Sequence, residues 1–137
     1  VSKAKADWLY FLDADDFLEP TAILDFRKIL RAKWADLIYA DYDYIDQGGR
    51  HIRVEKNAKR FSESIRPLYN AVNIGMFVRK DRFVKVGGFD ENMTIGEYWD
   101  LFLRYTANPN VSVIKHDRPF FVARQASSVL PDAQRLM

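Results

Sequence analysis

Residues 8–20 read WLYFLDADDFLEP, and the character of this stretch decides the fold. Trp8 to Leu12 is a short, unbroken apolar run that halts at acidic residues. A run without polar alternation is the pattern of a strand covered on both faces, as in α/β sheets flanked by helices, so an interior strand is expected from Trp8 to Leu12. The carboxylates of Asp13, Asp15 and Asp16 follow at once, at the strand's C-terminal end, where open α/β sheets place ligands. Hard oxygen donors this close repel one another unless a cation lies among them. Mg²⁺ or Mn²⁺ suits one or two carboxylates together with diphosphate oxygens. The same residues also suit a solvated turn that caps a helix, because Asp16 and Glu19 have capping-box spacing. On this stretch alone the two readings stand level.

Outward from the motif, Glu19, Pro20 and Thr21 supply helix-start chemistry. Ile23, Leu24, Phe26, Ile29 and Leu30 recur at helical spacing as far as Ala32, predicting one packed face. The β-branched and aromatic run from Asp36 to Ile45, the turn residues Gln47 to Arg50 and the stretch His51 to Val54 predict a strand and a hairpin. From Lys56 to Asn70 polarity rises without period, which predicts a surface loop with a short helix. Asn73 to Val78 reads as a buried strand, Lys80 to Val86 as a short helix, and Gly87 and Gly88 as a sharp turn needing positive φ. A helix is predicted from Gly96 to Ala107, ended by Asn108 and Pro109, with further strands at Val111 to Lys115 and Pro119 to Arg124.

The 137 residues suit one compact domain. Apolar residues make up 48% and charged residues 29%, the profile of a folded globular chain rather than a disordered one. A net charge of +2, from 21 Lys and Arg against 19 Asp and Glu, gives no field suited to holding nucleic acid. With no Cys, disulfides and thiolate metal sites are excluded. No apolar run reaches the roughly 18 residues of a membrane-spanning helix, and a cytoplasmic location is expected. His51 and His116 have no partner at ligand spacing and read as surface or core residues. The basic groups Lys56, Lys59 and Arg60, and Arg79, Lys80, Arg82 and Lys85, read as solvated faces.

Two other acidic motifs compete for Asp13 to Glu19. An EF-hand loop starting at Asp13 needs Gly at position 18 and Glu at position 24, where Leu18 and Leu24 stand, and that reading fails. A haloacid-dehalogenase type phosphohydrolase wants Thr or Val where Phe17 stands, and remains a weaker alternative. A second constellation narrows the choice. Phe77 to Arg104, FVRKDRFVKVGGFDENMTIGEYWDLFLR, combines a glycine turn, an acidic turn and an amphipathic helix opening with Glu97 and Asp100.

Together these stretches resemble the family 2, GT-A type glycosyltransferases. The family shows L-D-x-D-D-x-L-x-P, matched at Leu12 to Pro20; F-R-x-x-x-F-x-x-V-G-G-F-D-E, matched at Val78 to Glu91; and G-E-D-W-D-L-x-L-R, matched at Gly96 to Arg104. Arg124, Ser127 and Ser128 resemble the R-x-H-x-x-S-x-S stretch that often follows. Three motifs in series are far more specific than one.

The resemblance implies an α/β fold, a partial GT-A mixed sheet with flanking helices. It also implies inverting transfer of a sugar from a nucleotide-sugar donor to a carbohydrate or other hydroxyl acceptor. Asp13, Asp15 and Asp16 would hold Mn²⁺ or Mg²⁺, and Arg124 would reach the diphosphate. The family's general base is the Asp of its E-D pair, but here the pair reads Glu97, Tyr98. A phenol is a poor base at neutral pH, so Glu97 or Asp100, three apart on one helix face, is expected to take the role, with Tyr98 pointing elsewhere. Trp99 and Tyr98 are also candidates for stacking on an acceptor sugar. The resemblance further implies that residues 1–137 are the C-terminal, metal and acceptor half of the catalytic domain, lacking a preceding nucleotide-binding half. Alone, such a half is expected to be inactive or nearly so, or to persist as a binding or scaffold remnant. Its open strand is expected to pair with another copy in a homodimer or larger assembly.

Overall fold

The computed structural model describes residues 1–57 and 75–125. Its strands are β1 (Trp8–Tyr10), β2 (Phe17–Leu18), β3 (Leu37–Tyr39), β4 (Tyr42–Ile45), β5 (His51–Glu55), β6 (Met76–Arg79), β7 (Val113–Lys115) and β8 (Phe121–Arg124). The helices are α1 (Ala22–Ala32), α2 (Lys80–Lys85) and α3 (Glu97–Thr106). They build two four-stranded sheets, ordered β1-β6-β3-β7 and β2-β8-β4-β5. Both are mixed, since β3 pairs parallel with β7 and β4 parallel with β8 while the remaining pairs are antiparallel. The chain therefore passes from the first sheet to the second three times, between β1 and β2, between β3 and β4, and between β7 and β8. The first of these crossings is the acidic motif.

Alternation along the strands of the first sheet feeds two separate cores, one on each face. Leu9, Leu37, Tyr39, Met76 and Val78 turn to one face of the first sheet, where they pack with Phe83 of α2 and Tyr98, Leu101, Phe102 and Tyr105 of α3. Ile38 and Phe77, the residues between them, turn to the other face and pack with Ala22 and Phe26 of α1 and with Phe120. β3 is thus buried on both sides.

Three expectations need correction. The run from Trp8 to Leu12 is not an interior strand among the described residues. Pairing covers Trp8–Tyr10 only, β1 sits at the sheet's edge beside β6, and Leu12 is 42% exposed. The backbone has already left the first sheet at Phe11 to reach β2. On α1, Ile23 and Leu24 face outward at 51% and 54% exposure, because the buried stripe runs through Ala22, Asp25 and Phe26. The run from Asp36 to Ile45 is two strands, broken at Ala40 and Asp41 where the chain changes sheets. The strand expected at Asn73 is seen from Met76, and the loop expected through Asn70 lies outside the described residues beyond Asn57, as do Lys59, Arg60, Ser127 and Ser128.

Three carboxylates are buried, Asp25 within α1, Asp36 at the entry to β3 and Asp41 at the β3–β4 crossing, and each is neutralised from a distant part of the chain. Asp36 meets Arg82 Nε at 2.9 Å and accepts from the Ser112 N–H at 2.9 Å, while its carbonyl accepts from the Tyr105 hydroxyl at 2.7 Å. Asp41 lies 2.7 Å from Lys115 Nζ and accepts from the Asn57 N–H at 2.9 Å. Asp25 accepts from Arg118 Nη2 at 2.7 Å and from the Thr21 hydroxyl at 3.1 Å, with His116 stacked on Phe120 beside it. Burial alone would raise the pKa of Asp25 and of Asp41. For Asp25 the Thr21 hydrogen bond, Arg118 and His116 outweigh burial, and for Asp41 Lys115, Asn57 and Lys56 do, so both carboxyls lie below their ordinary value.

Depressed folded values contribute stability that is present above the unfolded carboxylate range and is lost as pH falls through them. Below about pH 4 the free energy of unfolding is expected to fall. Asp25→Asn should be less stable than wild type at pH 7 and show a shallower acid decline, read by urea melts across the pH range. Leu101, fully buried under the first sheet, gives a second test. Leu101→Ala is expected to cost about 2–5 kcal/mol in the same melts.

Candidate active site

The acidic turn is held at both ends. On its N-terminal side Phe11 packs against Phe83 and Phe89, with ring centroids 5.1 and 4.8 Å away, and Phe89 meets Tyr98 at 5.1 Å. On its C-terminal side β2 pairs with β8, and Asp16 Oδ1 accepts the backbone N–H of Arg124 at 2.9 Å. A further turn bond runs from the Asp16 N–H to the Asp13 carbonyl, at 3.1 Å. The alternative in which Asp16 caps the following helix is not what forms, since α1 begins at Ala22 with Thr21 before it.

The opposite wall is the loop that follows the glycine turn, from Phe89 to Thr94, together with the start of α3. Gly87 and Gly88 adopt φ of 88° and 70°, as the sharp break requires, and a Cβ on Gly88 would lie 3.1 Å from the Phe83 ring. Arg104 fastens this turn to α3. Its Nη1 donates to the Val86 carbonyl and its Nη2 to the Gly88 carbonyl, both at 2.7 Å, and the same guanidinium meets Asp100 Oδ2 at 2.6 Å. Gly96, at φ 79°, then starts the helix so that Glu97 and Tyr98 face the acidic turn.

Between the walls lies an open cleft of about 640 Å³ whose lining includes Asp13, Phe89, Glu91, Glu97 and Tyr98. The first and third sequence motifs therefore meet across one cleft. Of the expected site residues, Asp13, Glu97 and Tyr98 are brought together here. Asp15 is exposed beside them on the turn. Asp100 is turned away into its ion pair with Arg104, so the shared helix face with Glu97 does not extend to the cleft. Tyr98 corrects the opposite expectation, because its hydroxyl points toward the acidic turn, 3.5 Å from the Phe11 carbonyl. Arg124 contributes its backbone to Asp16, while its guanidinium is held by the carbonyls of Asp46 and Gln47 at 3.3 and 3.1 Å. Trp99 stacks on Phe102 against the core.

Electrostatics separate these groups. The Tyr98 phenol is raised above its ordinary value by burial first and then by the negative charge of Asp13, Glu97 and Asp16, so it stays protonated at neutral pH and acts as a donor. Asp16 is also raised, by burial ahead of repulsion from Asp15 and Asp13, with the Arg124 N–H and charge opposing. Among the described residues no three His or acidic side chains converge into a ready cation site. Three hard-oxygen donors without Cys or His nevertheless fit Mg²⁺ or Mn²⁺, which keep water and phosphate oxygens in their shell and need few protein ligands.

This segment belongs to the glycosyltransferase-like family 2, whose family model matches residues 1–117. Its fold is that of GT-A glycosyltransferases, as seen in the N-terminal 349 residues of S. aureus TarS. With the UDP-GlcNAc complex of that protein it shares a TM-score of 0.68 at 15% identity, over 93% of this chain and 37% of that one. With the UDP complex the TM-score is 0.64 at 15% identity, over 91% and 38%. No curated protein sequence matches. The chain thus spans well under half of the TarS chains it resembles.

In the sequence Arg104 reads only as the close of the third motif, although its i, i+4 spacing from Asp100 was a usable signal for the ion pair, and the aromatic residues Phe11, Phe83 and Phe89 gave no sign of meeting. Arg104→Ala should cost about 2 kcal/mol, since it strips charged donors from two carbonyls. Glu97→Gln, at a carboxylate with no hydrogen bond or ion pair to the described residues, should stay within about 0.5 kcal/mol of wild type. Chemical denaturation reads both.

Proposed function

We propose that this segment is the metal and acceptor half of an inverting glycosyltransferase that moves a sugar from a nucleotide-sugar donor to a hydroxyl acceptor. The carrying observation is the meeting of Asp13 with Glu97 and Tyr98 across one cleft. The UDP-GlcNAc and UDP bound by the TarS structures support a nucleotide-sugar donor. Because the chain covers 37 or 38% of those chains, transfer is proposed for a longer protein carrying this segment.

In this reading Asp13 and Asp15, with Asp16 behind them, hold Mn²⁺ or Mg²⁺ against the donor diphosphate. A bound divalent ion supplies Lewis-acid stabilisation of the charge growing on the leaving group. Glu97 accepts the acceptor hydroxyl proton as that oxygen attacks the anomeric carbon, because it is the acid that lines the cleft while Asp100 is engaged elsewhere. Tyr98, kept protonated, donates a hydrogen bond within the cleft and takes no proton. Arg124 shapes the turn through its backbone and leaves the diphosphate to other groups. A second reading, a non-catalytic binding remnant, draws support from the phenol at the position where the family carries its base. The phosphohydrolase alternative has no comparable support.

Calorimetric titration of the chain with UDP should give binding that requires Mn²⁺ and is weakened about tenfold or more by Asp13→Asn, the loss expected of an inner ligand. In a transfer assay on the longer protein, Glu97→Gln should lower kcat by about 10²–10⁴, and Asp100→Asn should leave it within a few-fold. Metal-dependent binding with no transfer would favour the remnant.

A further inference from the structure

Tyr10, the last residue of β1, sets its ring against Phe77 and Phe121, with centroids 4.5 and 6.3 Å away. Its hydroxyl oxygen is buried and has no hydrogen-bond partner among the described residues. A buried phenol normally finds a partner, because an unsatisfied polar group loses its hydration without compensation. The fold makes room for this hydroxyl nonetheless. A Cβ at Gly75 would fall 2.9 Å from it and 2.1 Å from the Phe121 ring.

The surroundings point to a missing acceptor. Tyr10 lines the cleft beside Asp13. Burial first, and then the proximity of Tyr98 and Asp16, keeps the phenol protonated, so the hydroxyl remains a donor. Tyr98 stays protonated as well, and the negative charge of Asp16 contributes to raising both phenols. One Asp16 oxygen receives the Arg124 N–H, and its second oxygen has no donor among the described residues. Tyr10 and Asp16 bracket the crossing between the sheets and both reach β8, the Tyr10 ring against Phe121 and Asp16 through the Arg124 N–H.

We propose that Tyr10 is a positioning residue of the acidic turn: its hydroxyl donates to Asp16 when the turn gathers around a divalent cation and diphosphate, and holds the ligating carboxylates in place. The inference rests on the metal reading above. Its physical basis is that repulsion spreads the three carboxylates in the metal-free turn, whereas gathering them demands an outer hydrogen bond to fix the carboxylate least exposed to ligand.

Tyr10→Phe keeps the ring packing and removes only the hydroxyl. The metal-free variant is expected to melt at or above the wild-type temperature, while its Mn²⁺ affinity in the presence of UDP, read by electron paramagnetic resonance, falls about tenfold or more. In an Asp16→Asn background the same change should have little further effect on affinity. Unchanged affinity in Tyr10→Phe, or a lowered metal-free melting temperature that reveals an existing partner, would overturn the proposal. Failure of the wild-type chain to bind Mn²⁺ and UDP would instead overturn the metal reading itself, and this inference with it.

Discussion

The structure depends on one constraint: the strand that opens the first sheet and the strand that opens the second are joined by only six residues, Phe11 to Asp16. Those residues cannot satisfy their backbone in either ladder, so they must be held by other means. Aromatic packing from Phe83, Phe89 and Tyr98 fixes the near end, and the Arg124 N–H with the β2–β8 pair fixes the far end. A short connector fastened twice presents its carboxylates outward. The site is a by-product of changing sheets.

Charge is managed in two opposite ways in the fold. Asp25 within α1, Asp36 at the entry to β3 and Asp41 at the β3–β4 crossing are buried, and each has a cation brought to it by the fold. Such pairs offset the desolvation of a carboxylate that cannot be rehydrated. At the acidic turn no Lys or Arg side chain forms an ion pair with Asp13, Asp15 or Asp16 among the described residues, and Asp16 shifts upward where Asp25 and Asp41 shift downward. Negative charge on the exposed turn is therefore left to solvent, and this contrast with the paired carboxylates of the core supports the metal reading proposed above.

The elements with strong local signals were legible: the helix closed by Asn108 and Pro109, the hairpin at Gln47 to Arg50 and the positive-φ turn at Gly87 and Gly88 all form where the residues say. The changes of sheet were not, because a single Asp beside Ala40, without Gly or Pro, is a weak break in an aromatic run and strand periodicity is the same in either sheet. Nothing in the sequence singled out Asp25, since its partner Arg118 lies 93 residues away. The residues of the cleft were visible through the resemblance, yet their roles turned on neighbours. Arg104 removes Asp100 from the cleft, and the left-handed Gly96 turns Tyr98 into it. Helical spacing alone gave the reverse.

The bond from the Arg124 N–H to Asp16 joins positions 108 residues apart, and the parallel partners of β3 and β4 also come late in the chain. Contacts of such long range are slow to form, because most of the loop-closure entropy must be overcome before they contribute. During synthesis from the N-terminus the acidic turn and β2 therefore emerge long before the strand that anchors them. An intermediate lacking β8 would expose the edges of β2 and β4 together with the Tyr42 ring on which Phe121 of β8 later stacks at 4.9 Å. The order in which the site is assembled is thus the reverse of the order in which its residues are read, and its vulnerable period is the interval before β8 appears.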